Sequence, residues 1–453
     1  MSSASSPAPM PRLLRAFVRV YRISHWTRRR FTPAGMAMMY VLIAATVFGV
    51  DTRRTAAYQL FALAVALLAI ASLGALRFRP RLGFERRLPQ YATVGEPCSY
   101  RHLVHNRGGR RLSRLRLRDE LADNFPDAET FQRARGAGDP QVNWVDRRIG
   151  FPRWLELVRR GRGADMEEAA LADLPPGGSI EVKVTVTPVR RGVLRFERCR
   201  VLRSDPLGLV NASTSIDLPG ELVVLPRCHP VPPLAMPGAR RLQRGGVALS
   251  HNVGDSQEFM QLRDYRPGDP LRHIHWPSLA KASKPVVKEF QDEYFTRYAL
   301  VLDTFGDTTS DEAFEAAVSV AASFVAGIQV RDALLDLVFV EDRAYRLTVG
   351  RGLGRTTDLL RELAAVAPCH GHRFDVLAAQ VLAHAQSLSG CILVLLGLDE
   401  ERSALVERLR AAGVRQLVLV MDPAATAPEA GVVLHPVDPR DVGAALKALP
   451  QSW

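Results

Sequence analysis

Residues 298–304 read Tyr298-Ala-Leu-Val-Leu-Asp-Thr304. Five apolar residues run without a break and end on a carboxylate and a hydroxyl. That is the pattern of a short strand buried on both faces. Downstream, Thr309-Ser-Asp-Glu312 offers a capping box, and the helix it opens carries Phe314, Ala317, Val318, Ala321, Val325 and Ile328 on one stripe. Residues 335–340 then read as strand, 356–366 and 374–387 as helices, and 392–396 as strand. Residues 400–412 form a helix stopped by Gly413, and 417–420 a further strand. Repeated strand–helix units predict a doubly wound α/β domain with a mostly parallel sheet over residues 298–453.

Upstream the period changes. Glu181-Val-Lys-Val-Thr-Val-Thr187 alternates strictly, and residues 193–202 alternate apolar positions with arginine and glutamate across a turn at residues 188–192. Both are half-buried strands, so residues 77–226 are expected to form an all-β sandwich. A helical insertion is expected near residues 143–173, where Phe151, Trp154, Leu155 and Val158 recur at helical spacing. That stripe suits either a membrane or partner surface or one edge of the sandwich.

Residues 34–50 and 56–76 are apolar and free of charge. As helices they would be about 26 and about 31 Å long, against a hydrocarbon core of roughly 30 Å. They predict two transmembrane helices in residues 34–76, joined by a turn containing Arg53 and Arg54. Arginines crowd both outer flanks, from Arg12 to Arg30 and from Arg77 to Arg87. Positive flanks stay inside, so residues 1–33 form a basic cytoplasmic N-terminus, and both termini and the bulk of the chain are cytoplasmic. The net charge of +13 is mostly arginine. It lacks the aromatic interleaving or finger spacing of a nucleic-acid binder, so no nucleic-acid partner is expected. Cys98, Cys199, Cys228, Cys369 and Cys391 are scattered, which excludes a disulfide framework and points to a reducing compartment.

Between the two soluble regions, residues 227–297 form a linker around the stretch EFMQLRDYRPGDPLRHIHW, Glu258 to Trp276. No helical or strand period sorts its charges from its large apolar residues. Ion pairs locked into a partly buried latch between domains are the expected outcome. In Arg266-Pro-Gly-Asp269, Pro267 and Gly268 suit the central positions of a type II turn. Glu258, Phe259, Arg263, Tyr265, Gly268, Asp269, Arg272, Ile274 and Trp276, with the strand ending at Asp303, resemble the hallmark of a widespread prokaryotic family. It is known only as the fifty-eighth domain of unknown function. Pro277, Leu279 and Lys281 depart from that pattern.

The α/β region in turn resembles a von Willebrand factor A domain. The whole is thus read as an α+β multidomain chain: a two-helix membrane hairpin, a sandwich, then the A-like domain. Such domains often bind Mg²⁺ at the carboxyl end of the sheet. Here Asp303, a distant hydroxyl (Thr356 or Thr357) and a distant carboxylate (Asp399) stand at the ligand positions, but no metal is expected and Asp303 is read as capping or pairing at the strand end. Phe305 stands at a hydroxyl position and cannot ligate, so the site is degenerate; a shifted register using Thr304 or Thr308 is the other arrangement. No resident cofactor is expected. The resemblance also implies a bacterial inner-membrane location, a MoxR-type AAA+ ATPase partner and a transglutaminase-like membrane protein.

The expectation is a non-enzymatic adaptor or scaffold in an envelope or stress-related assembly. The alternative is a hydrolase or other enzyme with its site in residues 258–276. Asp303, Arg351, Arg355, Thr356 and Asp399 are the candidate partner-binding loop residues. The glycine-rich run 350–357 lacks a P-loop's first glycine and its lysine, which argues against nucleotide hydrolysis. His273 and His275 have no third metal ligand at supporting spacing.

Overall fold

The computed structural model describes residues 12–49, 55–122, 125–126, 130–131, 150–232, 243–244, 258–266, 274–278, 285–291, 294–306, 311–327, 333–350, 355–369, 372–425 and 433–450. The chain divides into two compact units, Met1–Arg227 and Cys228–Trp453.

The first unit opens with three helices, α1 (Arg12–Arg30), α2 (Pro33–Gly49) and α3 (Thr55–Leu76). Within α3, Tyr58–Leu76 is long and apolar enough to cross a membrane; the apolar part of α2 is shorter, Pro33–Thr46. The two helices pack on each other. A loop shaped by Asp205 receives their base: its carboxylate accepts the backbone N–H groups of Leu207, Leu209 and Val210 at 2.9, 2.7 and 2.6 Å. Thr32 donates its backbone N–H to the Leu209 carbonyl at 3.1 Å, and its hydroxyl accepts from Gly35 N–H at 3.0 Å. A Cβ on Gly35 would meet the Leu209 oxygen at 1.9 Å, so this approach requires glycine.

Two sheets follow. One runs β1 (Leu82–Arg87), β3 (Cys98–Asn106), β7 (Ser179–Pro188), β5 (Ala164–Met166) in spatial order. The other runs β2 (Tyr91–Thr93), β9 (Asn211–Leu225), β8 (Gly192–Ser204), β4 (Leu115–Leu121), β6 (Ala169–Ala170). Their inner faces meet in one core: Val104, Val182, Val184 and Val186 from the first, Leu117, Phe196, Val201 and Leu222 from the second. Alternation of apolar and polar residues along β3, β4 and β7 is what fixes that face.

The predicted insertion contains helix α4 (Phe151–Arg162). It immediately precedes and contacts the edge strand β5, and it also packs on α1. Trp154 and Val158 are buried against Leu14 and Phe17 of α1, with Tyr21, Phe125, Phe131 and Phe151 around them. Phe125 and Trp154 stack with planes 7° apart. The helix thus clasps the N-terminal helix, which sequence had marked only as a basic segment.

In the second unit, β13 (Tyr294–Leu302), β14 (Ala333–Val340), β15 (Ala344–Val349), β16 (Gly390–Leu395), β17 (Arg415–Val420) and β18 (Leu434–Pro436) form one sheet in the order β15-β14-β13-β16-β17-β18. Every pairing along that path is parallel except the edge pair β14–β15. Short β10 (Gln243–Arg244) also pairs with β13, antiparallel. Alternate residues of β13 serve opposite faces. Leu300 and Leu302 pack beneath α5 (Asp311–Gly327), α6 (Thr356–Ala365) and α9 (Val442–Lys447). Ala299 and Val301 pack beneath α7 (Phe374–Leu382) and α8 (Glu400–Ala411).

This is a doubly wound sheet with its core split into two layers. The helix expected over 374–387 ends at Leu382, followed by a separate short turn at Ala385–Ser387. The capping box expected at 309–312 falls largely outside the described residues.

Candidate functional site

β13 delivers Asp303 to the carboxyl end of the sheet, next to the topological switch where the strand order reverses and ligands of such sheets usually bind. Its side chain is fully buried, and both oxygens are occupied twice. One accepts Phe305 N–H at 2.9 Å and Arg402 Nη2 at 3.2 Å; the other accepts Leu396 N–H at 3.0 Å and Arg402 Nε at 2.6 Å. A carboxylate offers about four lone-pair positions, so none is left for a cation.

Arg402 lies in the first turn of α8 and also donates to the Phe305 carbonyl at 2.6 Å and to Asp399. Asp399 caps that helix by accepting Arg402 N–H at 2.9 Å. The guanidinium carbon sits 4.9 Å from the centre of the Phe374 ring, and Phe305 meets the same ring edge-on. Burial works against the guanidinium charge, yet Asp303 and Asp399 outweigh it and raise the Arg402 pKa.

Among the described residues, the remaining ligand candidates do not complete a metal shell. The Thr304 hydroxyl donates to the Val340 carbonyl, Thr356 opens α6, and Thr308 lies outside the described residues. The donor set therefore does not fit Mg²⁺: a fixed organic cation already stands against Asp303. Sequence reasoning missed Arg402 because it lies 99 positions from Asp303 and belongs to an otherwise ordinary charged helix start.

A second buried aspartate lies in the sandwich. Asp119 accepts Arg86 Nη2 at 2.6 Å and the Tyr100 hydroxyl, and pairs with His102 Nε2 at 2.7 Å. The sulfur of Cys199 comes close enough that His102, Asp119 and Cys199 have metal-ligand spacing. Arg86, 4.6 Å over the Phe196 ring, opposes a further cation there. Burial pushes the Asp119 pKa up, but the hydrogen bonds from His102 and Arg86 more than reverse this and leave it lowered. Burial, then the Asp119 charge, pushes the Cys199 thiol well up, so it is an inert neutral sulfhydryl. The signal was present in the sequence. Tyr100 and His102 alternate with outward residues of β3, and Asp119 falls between the inward Leu117 and Leu121.

The stretch expected to be a latch is, in its first half, a regular strand. β11 (Glu258–Asp264) pairs antiparallel with β12 (Val286–Gln291), with a register shift between Phe259 and Gln261. Glu258, Phe259 and Arg263 therefore sit on a two-stranded ribbon. Tyr265 continues it, half-buried, through its N–H to the Pro285 carbonyl at 2.9 Å. Ile274 is buried and bridges to Val287, whereas Trp276 is 62% exposed and Leu262 is exposed too. Among the described residues, Ile274 is thus buried and Tyr265 half-buried, while Leu262 and Trp276 face solvent.

Gly268, Asp269, Arg272 and His273 lie outside the described residues, as does Arg351. His275 pairs with the Ser278 hydroxyl at 2.6 Å. Arg355 is exposed at the start of α6, its N–H bonded to Asp358 at 3.0 Å. Of the loop candidates, Asp303 presents no surface, while Arg355 and Asp399 do.

Several solved structures are distantly similar to parts of the chain. The CARDB domain of the PF1109 protein from Pyrococcus furiosus, in complex with di-metal ions, is 14% identical; the alignment covers 32% of this chain and 89% of that one, with a TM-score of 0.17. Manganese-loaded TRAP protein of Plasmodium vivax is 13% identical over 34% of this chain and 72% of that one, with a TM-score of 0.27. Among curated proteins, uncharacterized protein YeaD of Bacillus subtilis (strain 168) is 28% identical over 193 residues, 42% of this chain and 46% of that protein. The chain thus spans under half the length of this relative. The ribbon from Gln261 onward and the doubly wound sheet together correspond to residues 261–441, which match the family described as Protein of unknown function DUF58.

Proposed function

We propose that the chain is a membrane-tethered, non-enzymatic scaffold whose α/β sheet is of the von Willebrand factor A type and whose partner is a MoxR-type AAA+ ATPase. The observation that carries the tether is the outer surface of α3. Leu60, Leu63, Ile70 and Leu73 are all exposed along one uncharged helix, Leu73 to 64%. Such a surface is costly in water and satisfied in a bilayer. α2 supplies the return crossing. It is about 26 Å long, and local thinning of the bilayer or the reach of flanking arginines would make up its length. Arginines at both outer ends then keep both termini cytoplasmic, at the bacterial inner membrane.

The A-type reading draws support from the strand order and from Asp303 at the end of the central strand. The non-enzymatic reading draws support from the chemistry of Asp119 and Asp303, whose carboxylates accept from internal donors. The partner class rests on the family resemblance, as does a transglutaminase-like membrane protein as a further member of the assembly. Exposed Trp276, Arg355 and Asp399 are the residues through which docking is to be tested.

Topology reporters give the decisive test. A reporter active only outside the cytoplasm should be silent after Trp453 and active when inserted at Arg53. The reverse pattern, or release of the chain from membranes by alkaline carbonate, overturns the tether. For the partner, full-length chain in detergent should capture a purified MoxR-type ATPase, and Trp276→Ala or Arg355→Glu should weaken capture at least tenfold. Equal capture by all three chains, or none by the parent, overturns that assignment.

A further inference from the structure

The helix α1 has two apolar faces, and the protein uses only one. Leu14, Phe17, Val18 and Tyr21 turn into the aromatic cluster with Trp154. On the opposite side, Val20, Ile23 and Trp26 are 53%, 59% and 59% exposed. Arg15, Arg19 and Arg22 are exposed with them. At about 100° per residue these six positions share an arc of roughly 160°. Arginine alternates with isoleucine, valine and tryptophan along it.

The charges of this face are treated differently from those of the sandwich. In the sandwich, arginine meets carboxylate: Arg101 with Glu181, Arg111 with Asp173, Arg195 with Glu221, Arg198 with Asp217. The sequence of α1 contains no acidic residue. Among the described residues, Arg15, Arg19 and Arg22 have no carboxylate partner; Arg22 lies over the Phe125 ring instead, 5.6 Å from its centre. An exposed stripe combining unpaired arginines with tryptophan and aliphatic side chains matches the boundary of a lipid bilayer: apolar groups enter the acyl edge and guanidinium groups meet phosphate.

We infer that this face of α1 lies on the cytoplasmic bilayer surface and binds anionic phospholipid headgroups. The inference rests on the tether reading, because only Phe31 and Thr32 separate α1 from α2. If α2 enters the membrane, the end of α1 is at its surface. The helix is not a loose anchor. Arg29 pairs with Glu120 of β4 at 2.9 Å, and the Asn211 side chain donates to the Arg29 carbonyl at 3.4 Å. Lipid contact along α1 therefore fixes how the sandwich stands on the membrane.

The test uses the full chain in nanodiscs, with Cys228→Ser removing the exposed native thiol and Ile23→Cys carrying an environment-sensitive dye. Brominated phosphatidylcholine with phosphatidylglycerol should quench the dye several-fold more than brominated phosphatidylcholine alone. Each arginine near an anionic leaflet contributes about fivefold to association. Arg15→Glu with Arg19→Glu should therefore abolish the phosphatidylglycerol dependence while the melting temperature stays at the parent value. Alkaline carbonate extraction is run in parallel. Retention in membranes with equal quenching in both lipids overturns the α1 inference and leaves the tether standing. Release by carbonate overturns the tether, whatever the dye reports. A dye response to single-stranded DNA or RNA larger than that to phosphatidylglycerol assigns the face to nucleic acid and also overturns the inference.

Discussion

Asp119 in the first unit and Asp303 in the second are each buried against an arginine, and the two are held differently. Asp119 in the sandwich is held by side chains alone, from Arg86 on β1 and from Tyr100 and His102 on β3. Asp303 in the α/β unit takes half its donors from backbone N–H groups, Phe305 and Leu396, and half from Arg402. The first arrangement ties strands together through a core that is otherwise apolar. The second ties loops together at the end of a sheet. A buried charge in a strand core specifies which strands pair across it; one at a sheet end specifies loop conformation.

If that contrast is right, the largest effect belongs to Asp119. Asp119→Ala should cost about 3–5 kcal/mol, because Arg86 is left as an uncompensated buried charge. Thermal melting of the variant checks it, and a parental melting temperature would show that the hub does not hold the sandwich. Arg402→Ala should cost less, about 2–3 kcal/mol, since Phe305 and Leu396 still bond Asp303. It should also open the carboxylate: millimolar Mn²⁺ should raise the melting temperature of Arg402→Ala and leave that of the parent unchanged.

A third, smaller effect follows pH. Burial, then Arg29, Arg162 and Arg118, lowers the pKa of His25 to about 4 from an unfolded value of 6.5. The released form of α1 thus binds the proton more readily than the docked one. Its docking is fully favourable above pH 6.5 and weakens as pH falls from 6.5 towards 4. Hydrogen exchange in α1 should accelerate over that window, and His25→Gln should flatten the response. Least of all, Trp276→Ala should change stability by under about 0.5 kcal/mol, since the ring faces solvent; a large loss would mean that the exposed tryptophan is structural after all.

What the sequence disclosed follows the range of the interactions. Strict alternation in β7 and the unbroken apolar run at residues 298–302 report burial on one face or two, a local property, and both strands formed where the pattern placed them. The edge strand β15 was not legible: its half-buried residues Ala344-Tyr-Arg-Leu-Thr carry no clear period, and its pairing with β14 comes from a hairpin. Arg402 was not legible for a different reason. Asp303 stands out in the sequence at the end of its apolar run, but the arginine it pairs with is set by how α8 packs, and no spacing rule connects residues 303 and 402. The inward Asp119 was the reverse case, visible as a charge out of place in an alternating strand and passed over in a basic stretch. At residues 258–264 the mixed charges hid a strand, and the register shift between Phe259 and Gln261 interrupts any simple alternation.

The Asp399–Arg402 arrangement also sets what this region can tolerate in evolution. Arg402 reaches Asp303 because it is the third residue of α8, and Asp399 fixes where that helix begins. Inserting or deleting one residue in the first turn would rotate Arg402 by about 100° and move it about 1.5 Å along the axis. The guanidinium would leave both the carboxylate and the Phe374 ring at once. Substitutions on the outer side of this turn are therefore cheap, whereas a change in its length is not. The start of α8 is a phase-locked segment that can drift in composition and scarcely at all in register.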